Sequence, residues 1–167
     1  MRNEYIPIAQ ILVGPPAVGK STWLLEESMK GSSRKPVIIS SDNYIEFVAK
    51  ERGKTYNEVF QDAIKDATKY VQAQKEYAVA NRLDIIWDQT NLTAKKRRKC
   101  LDGLDAYHAI AVTFEMPPVS VWEHRLNSRV GKTIPNHILQ NMLETYETPE
   151  LSEGFRAITH VPYRNEV

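Results

Sequence analysis

The stretch ILVGPPAVGKST, Ile11 to Thr22, constrains the fold of this chain more than any other. An apolar run ends in a turn of glycine and proline, and a helical pattern begins at Lys20. Gly14 to Ser21 fits the spacing G-x-x-x-x-G-K-[ST]. Glycines let such a loop curl until successive backbone N–H groups point inward, and the following helix adds the positive end of its dipole. The run Gly14, Pro15, Pro16, Ala17, Val18, Gly19 therefore reads as a cradle for phosphate oxygens, continued by Lys20, Ser21 and Thr22. Lys20 is spaced to reach the outer phosphates, and the Ser21 hydroxyl to ligate Mg²⁺.

The rest of the chain alternates short apolar runs with amphipathic helical patterns. Strands are expected at about Ala9 to Val13, Val37 to Ser40, Asp84 to Asp88, Ala109 to Glu115 and Ala157 to Val161. Helices are expected from Lys20 to about Met29, after Asp42, from a Thr55–Glu58 capping box to about Asn81, and from Thr93 to Leu104. Two more follow, Val119 to Arg129 and one opening with Pro135 as its first residue and reaching Tyr146. GSSRKP, residues 31–36, reads as a turn. Alternation of this kind predicts an α/β fold, a mostly parallel five-stranded sheet with helices on both faces and a helical lid, in one domain over 1–167. Ligands of such sheets sit at the carboxyl ends of the strands. The glycine loop, SSDN and DQTN each follow an expected strand, so all three should meet in one cleft.

Asp42, in SSDNYIE, has two readings. It can cap a helix, or it can face the cleft as the carboxylate that orients an acceptor hydroxyl and takes its proton. Asn43 with Glu46 already offers cap chemistry, which would leave Asp42 free. Asp88 closes DIIWD in the manner of a strand-end aspartate that helps hold Mg²⁺; the alternative is a turn with Thr90 or Asn91. KKRRK, Lys95 to Lys99, is either a solvated helix face or a site for an anion, since positive charge in a first helical turn opposes the dipole. Arg125 and Arg129 are four apart on an expected helix that runs into a glycine-containing loop, the arrangement of arginines that close over a triphosphate.

Charge and composition narrow the field. The 22 basic and 21 acidic residues leave a net charge of +1, so nucleic-acid contact would have to come from local clusters. The single cysteine, Cys100, reads as a helical core residue, and no Cys/His spacing suggests zinc. No signal-peptide pattern or membrane-length apolar run is present, so a soluble cytoplasmic protein without an obligate protein partner is expected. A guanine-reading N-K-x-D segment is absent, as is a D-G-[FY]-P-R-like segment after the middle strand. At 167 residues the chain is too short for a full hexameric motor module. A small phosphotransferase remains.

The ordered set GPPAVGKST, SSDNY, DQTNLTAKKRR, HRLNSRVGKTIP and LETYETPELSEGFRAITHV resembles the polynucleotide-kinase-like P-loop family over roughly Ile11 to Val161. That family includes the kinase domain of T-even phage polynucleotide kinase and is similar to the P-loop domain of heterogeneous nuclear ribonucleoprotein U. The resemblance implies a P-loop NTPase fold that uses ATP and Mg²⁺, with the 5′-OH end of DNA or RNA as acceptor. It implies Asp42 as general base, Asp88 on the acceptor side as well as the metal side, and Arg125 and Arg129 on the donor phosphates. It also brings Thr90, Asn91, Arg97 and Arg98 to the acceptor. The sequence departs from the family at Ile45, where an arginine would contact the acceptor phosphate, so Arg97 or Arg98 would have to supply that charge. Two alternatives stand: a kinase for a small hydroxyl compound, and a non-catalytic ATP-binding module that recruits RNA or protein.

Overall fold

In the computed structural model, which describes residues 4–31 and 33–165, five strands form one all-parallel sheet in the order β2-β3-β1-β4-β5. They are β1 (Ile8–Val13), β2 (Val37–Ile39), β3 (Ile85–Trp87), β4 (His108–Phe114) and β5 (Ala157–Val161). The expected turn at 31–36 includes position 32, which, like 1–3 and 166–167, lies outside the described residues.

Strand composition explains the layering. β1 sits at the centre, with Ile11 level with Trp87 on one side and Ala111 on the other. Because successive strand side chains point to opposite faces, odd and even residues build two cores. Ala9, Ile11, Val13, Ile85, Trp87, Ala109 and Ala111 face one way, against Ala78, Cys100, Leu104 and Tyr107. Leu12, Ile86, Val112 and Phe114 face the other, against Val18, Trp23 and Leu24. A sheet buried on both faces accounts for strands that are apolar without alternation.

Among the described residues six helices flank the sheet: α1 (Lys20–Met29), α2 (Ser41–Glu51), α3 (Tyr56–Ala80), α4 (Ala94–Leu101), α5 (Val119–Asn127) and α6 (Asn136–Glu144). α3 is 25 residues long, and its start is fixed by the expected capping box: Glu58 N–H donates to Thr55 Oγ1, and Thr55 N–H to Glu58 Oε2. Ala63 and Ala67 let α3 approach α2 closely, over Ile45, Ala49 and Val59.

Several helix boundaries correct the sequence reading: α4 ends at Leu101 instead of Leu104 and α6 at Glu144 instead of Tyr146, and three others bear on the cleft. α2 starts at Ser41, and Ser40 caps it by accepting from Asn43 N–H; Asp42 thus lies in the first turn, and Asn43 is not the cap. α5 stops at Asn127, so Arg129 belongs to the loop 128–135 instead of sharing a helix face with Arg125. Pro135 is the cap of α6, one residue before its first turn.

Candidate active site

The carboxyl ends of β1, β2 and β3 open into a cleft of about 2020 Å³. It is lined by the glycine loop, the start of α2, the tip of β3, one side of α3, α4 and the loop 128–135.

The glycine loop needs two backbone exceptions. Gly19 has φ +115°, and Ala17 is left-handed at φ +61°. Gly14 is a packing requirement, because a Cβ there would lie 2.9 Å from Val18 Cγ1. Pro16, Ala17, Gly19, Lys20, Ser21 and Thr22 line the cleft. Gly14 and Pro15 are buried and offer carbonyls, while the Val18 side chain fills the core below. Lys20 Nζ donates to the Gly14 and Pro15 carbonyls at 2.6 and 2.9 Å. Burial lowers its pKa to about 8, against the opposing pull of Asp88 and Asp42. Among the described residues the hydrogen bonds of Lys20 go to neutral carbonyls, which leaves this cation suited to an incoming anion.

α5 is fastened to this loop. Trp122 Nε1 donates to the Pro16 carbonyl at 2.7 Å, and Arg125 Nη1 reaches the Ala17 carbonyl at 3.4 Å. Arg129, one turn further on, enters the cleft. Its Nη1 is buried without a hydrogen-bond partner among the described residues. Buried donors without acceptors are rare and costly. This one lies close enough to Lys20 and Asp42 to shift both their pKa values.

Two carboxylates face these cations. Asp42 is not spent on its own helix: Tyr56 Oη donates to Oδ1 at 2.7 Å, and Lys132 Nζ donates to Oδ2 at 2.9 Å. Burial would raise its pKa, but Lys132 and the Tyr56 hydroxyl outweigh it and hold the group below the usual carboxylate range. Asp88, at the β3 tip, is pushed the other way by burial, with Lys20 opposing. Divergent environments of this kind are how a pair of acids divides its roles.

The acceptor side differs from expectation. Arg97 is fully buried and salt-bridged to Glu153, so it cannot touch an acceptor. Arg98 is exposed but does not line the cleft. Helical spacing instead turns Lys96 and Lys99 toward it. Asn91 is also structural, although its residue forms part of the wall. It is left-handed at φ +48°; its Nδ2 donates to the Leu12 carbonyl at 2.8 Å, and its Oδ1 accepts from Cys100 Sγ at 3.3 Å. Thr90 lines the cleft and accepts Gly14 N–H on its carbonyl. Ile45 is fully buried between α2 and α3 and faces the core.

Sequence reasoning missed Tyr56, Lys132 and Trp122. Lys132 belongs to the segment HRLNSRVGKTIP, where a lysine beside a loop glycine was a usable signal. Tyr56 carries none, because its bond to Asp42 exists only once α2 and α3 pack.

This fold and cleft define a P-loop protein of the α/β class. The chain belongs to the AAA domain family, whose pattern it matches over residues 10–149. Among curated relatives it is 30% identical over 142 residues to the L-seryl-tRNA(Sec) kinase of Methanococcus maripaludis, a match that covers 83% of this chain and 52% of that protein. The chain thus spans about half the length of that relative. Among solved structures it resembles a candidate kinase from Chloroflexus aurantiacus, with a TM-score of 0.66 and 16% identity over 94% of this chain and 85% of the other. It also resembles a chain of the Pnkp1/Rnl/Hen1 RNA repair complex, with a TM-score of 0.63 and 20% identity over 86% and 45% of the two chains. At these identities the two structures share the fold. Among the described residues no helix is long and apolar enough to cross a membrane.

Proposed function

We propose that this chain is an ATP-dependent kinase that transfers a phosphoryl group to a hydroxyl carried by nucleic acid, with the 5′-OH end of DNA or RNA as acceptor. The observation that carries this reading is the Asp42 carboxylate. It stands in the glycine-loop cleft and is held there by Tyr56 and Lys132 instead of by its own backbone.

The loop amides and Lys20 bind the outer phosphates of ATP, exchanging the Gly14 and Pro15 carbonyls for anionic oxygens. Arg129 gives its unpartnered Nη1 to the transferring group, and Arg125 holds the donor from α5. Asp42 accepts the proton of the acceptor hydroxyl. That oxygen forms a bond to the γ-phosphorus while the bond from the γ-phosphorus to the bridging oxygen breaks. ADP leaves with the electron pair, and Asp42 returns its proton to water. Most of the rate gain comes from positioning and from fixed positive charge.

Among the described residues no cluster of three or more His, Cys, Asp or Glu could hold a metal alone. That suits Mg²⁺, which takes one or two protein oxygens and completes its shell with phosphates and water. Ser21, exposed in the first turn of α1, and Asp88, close to Lys20, are the fitting donors. When bound there, the ion would neutralise charge on the phosphates.

Two features support a nucleic-acid acceptor. Lys96 and Lys99 line the cleft as cations that could contact acceptor phosphates. The curated relative acts on a tRNA-borne hydroxyl, which supports a second reading in which the acceptor is an aminoacyl group on tRNA. Transfer of labelled γ-phosphate to a panel of 5′-OH DNA and RNA oligonucleotides, seryl-tRNA, nucleosides and sugars tests the assignment. Product on oligonucleotides is expected. Label on seryl-tRNA alone selects the second reading, while label on small compounds alone, or on nothing despite ATP binding, overturns both.

A further inference from the structure

The loop 128–135 carries two cations, Arg129 and Lys132, only three residues apart, and both line the cleft. Arg129 Nη1 is buried without a hydrogen-bond partner among the described residues. Lys132 reaches Asp42 Oδ2 at 2.9 Å and Glu46 Oε1 at 2.8 Å, with its ammonium 4.3 Å from the centre of the Tyr56 ring. Its side chain is only 13% exposed, although it belongs to a loop.

We infer that Lys132 and Tyr56 are positioning residues for Asp42, and that Lys132 makes the orientation of this base depend on the lid being down. The inference rests on the reading of Asp42 as the base. Each carboxylate oxygen receives one hydrogen bond, from a different element: Oδ1 from Tyr56 on α3, and Oδ2 from the loop. A carboxylate offers about four lone-pair sites, so a site on each oxygen remains for an incoming hydroxyl. With both bonds present, the carboxylate plane is fixed at two points. With the loop raised, only the Tyr56 bond survives and the group can rotate about it.

The docking of the loop is built in. Asn57 N–H donates to the Gly131 carbonyl at 3.0 Å, and Asn57 Nδ2 donates to Thr133 Oγ1 at 2.7 Å. Gly131 has φ +67°, and a Cβ there would stand 2.6 Å from Thr55 Cβ. Only glycine lets the loop lie this close to the start of α3. A movement that brought Arg129 over a triphosphate would carry Lys132 with it, because the two share this docked loop. Donor clamping and acceptor orientation are coupled through three residues of backbone.

Kinetics on the acceptor identified by the panel, with hydrogen exchange of the full chain, tests this. Lys132→Ala and Tyr56→Phe should each lower kcat by about 10- to 100-fold, the scale of a misplaced catalytic group, with the KM for ATP within twofold of wild type. Lys132→Arg should recover part of the loss. Gly131→Ala should reproduce it with Lys132 intact. Without nucleotide, Lys132→Ala and Asp42→Asn should both speed amide exchange across 128–135. Unchanged kcat in Lys132→Ala, or a rise in the KM for ATP alone, overturns the inference, the latter marking Lys132 as a donor clamp. If wild type phosphorylates nothing, the proposed function fails and exchange decides the link by itself: faster exchange in both variants sustains it, and wild-type exchange in either removes it.

Discussion

Arg97, with no exposed surface, is bonded by both oxygens of Glu153: Nε to Oε1 at 2.8 Å and Nη2 to Oε2 at 3.1 Å. Its third nitrogen donates to the Asn91 carbonyl at 3.0 Å. One guanidinium therefore joins α4, the loop after β3 and the 3-10 turn Leu151–Glu153 that leads into β5. Removing one partner of a buried pair strands the other, at a cost of about 3–5 kcal/mol. Glu153→Ala should destabilise the protein by that order in urea unfolding, and a doubly apolar Arg97→Met/Glu153→Leu variant should recover part of it.

Acid should reveal the same pair. Burial alone would raise the Glu153 pKa, but the Arg97 hydrogen bonds and the Glu150 N–H hold it below its ordinary value of 4.5. A carboxylate depressed in the folded state adds stability that is present above its unfolded pKa and is lost as pH falls through the folded one. Unfolding free energy should thus decline below about pH 4.5, more gently in Glu153→Gln, as followed by urea titrations at successive pH values.

Arg129→Ala should reduce kcat by about 10²- to 10³-fold, as expected when a preorganised donor is taken from a developing charge. The change costs the free protein no hydrogen bond at Nη1, which has no partner to lose among the described residues. Thermal stability should therefore be unchanged or higher while single-turnover transfer collapses.

Nucleotide affinity should weaken in alkali. Lys20 titrates at about 8 in the free protein because burial disfavours its charge. Phosphate binding needs the cation, so above pH 8 each binding event must take up a proton. Calorimetry should show the Kd for ATP rising by up to tenfold per pH unit there, and a Lys20→Met variant should bind weakly with no such slope.

Exchanging Lys96 and Lys99 for glutamine should make oligonucleotide binding less sensitive to salt. The slope of log K against log salt should shrink by about 0.7–0.9 for each phosphate that is no longer neutralised. Arg98→Gln should leave the slope in place, since Arg98 does not line the cleft.

What could be read from residues alone followed from local rules. The glycine loop, the Thr55 capping box and all five strands are short-range patterns, and they fell within a residue or two of the observed bounds. The two arginine assignments on α4 failed for a geometric reason. KKRRK contains every angular position of a helix turn, and only packing decides that residue 97 points to the core while 96 and 99 face the cleft. The partners of Asp42 were hidden similarly: Tyr56 is 14 positions away and Lys132 is 90. Asp42 itself was undecided between cap and cleft because Ser40, Ser41, Asp42 and Asn43 can all cap a helix, and the start of α2 depended on which one did.

The amide of Asn91 hangs the loop after β3 from Leu12 near the end of β1, and the Gly14 N–H to Thr90 carbonyl bond closes the same loop from the other side. Asp88 and the glycine loop consequently share one backbone frame, set by neighbouring strands of the sheet. The span between that acid and the glycine loop is thus a built-in ruler. Whatever flexes during turnover, that measure is inherited from the sheet.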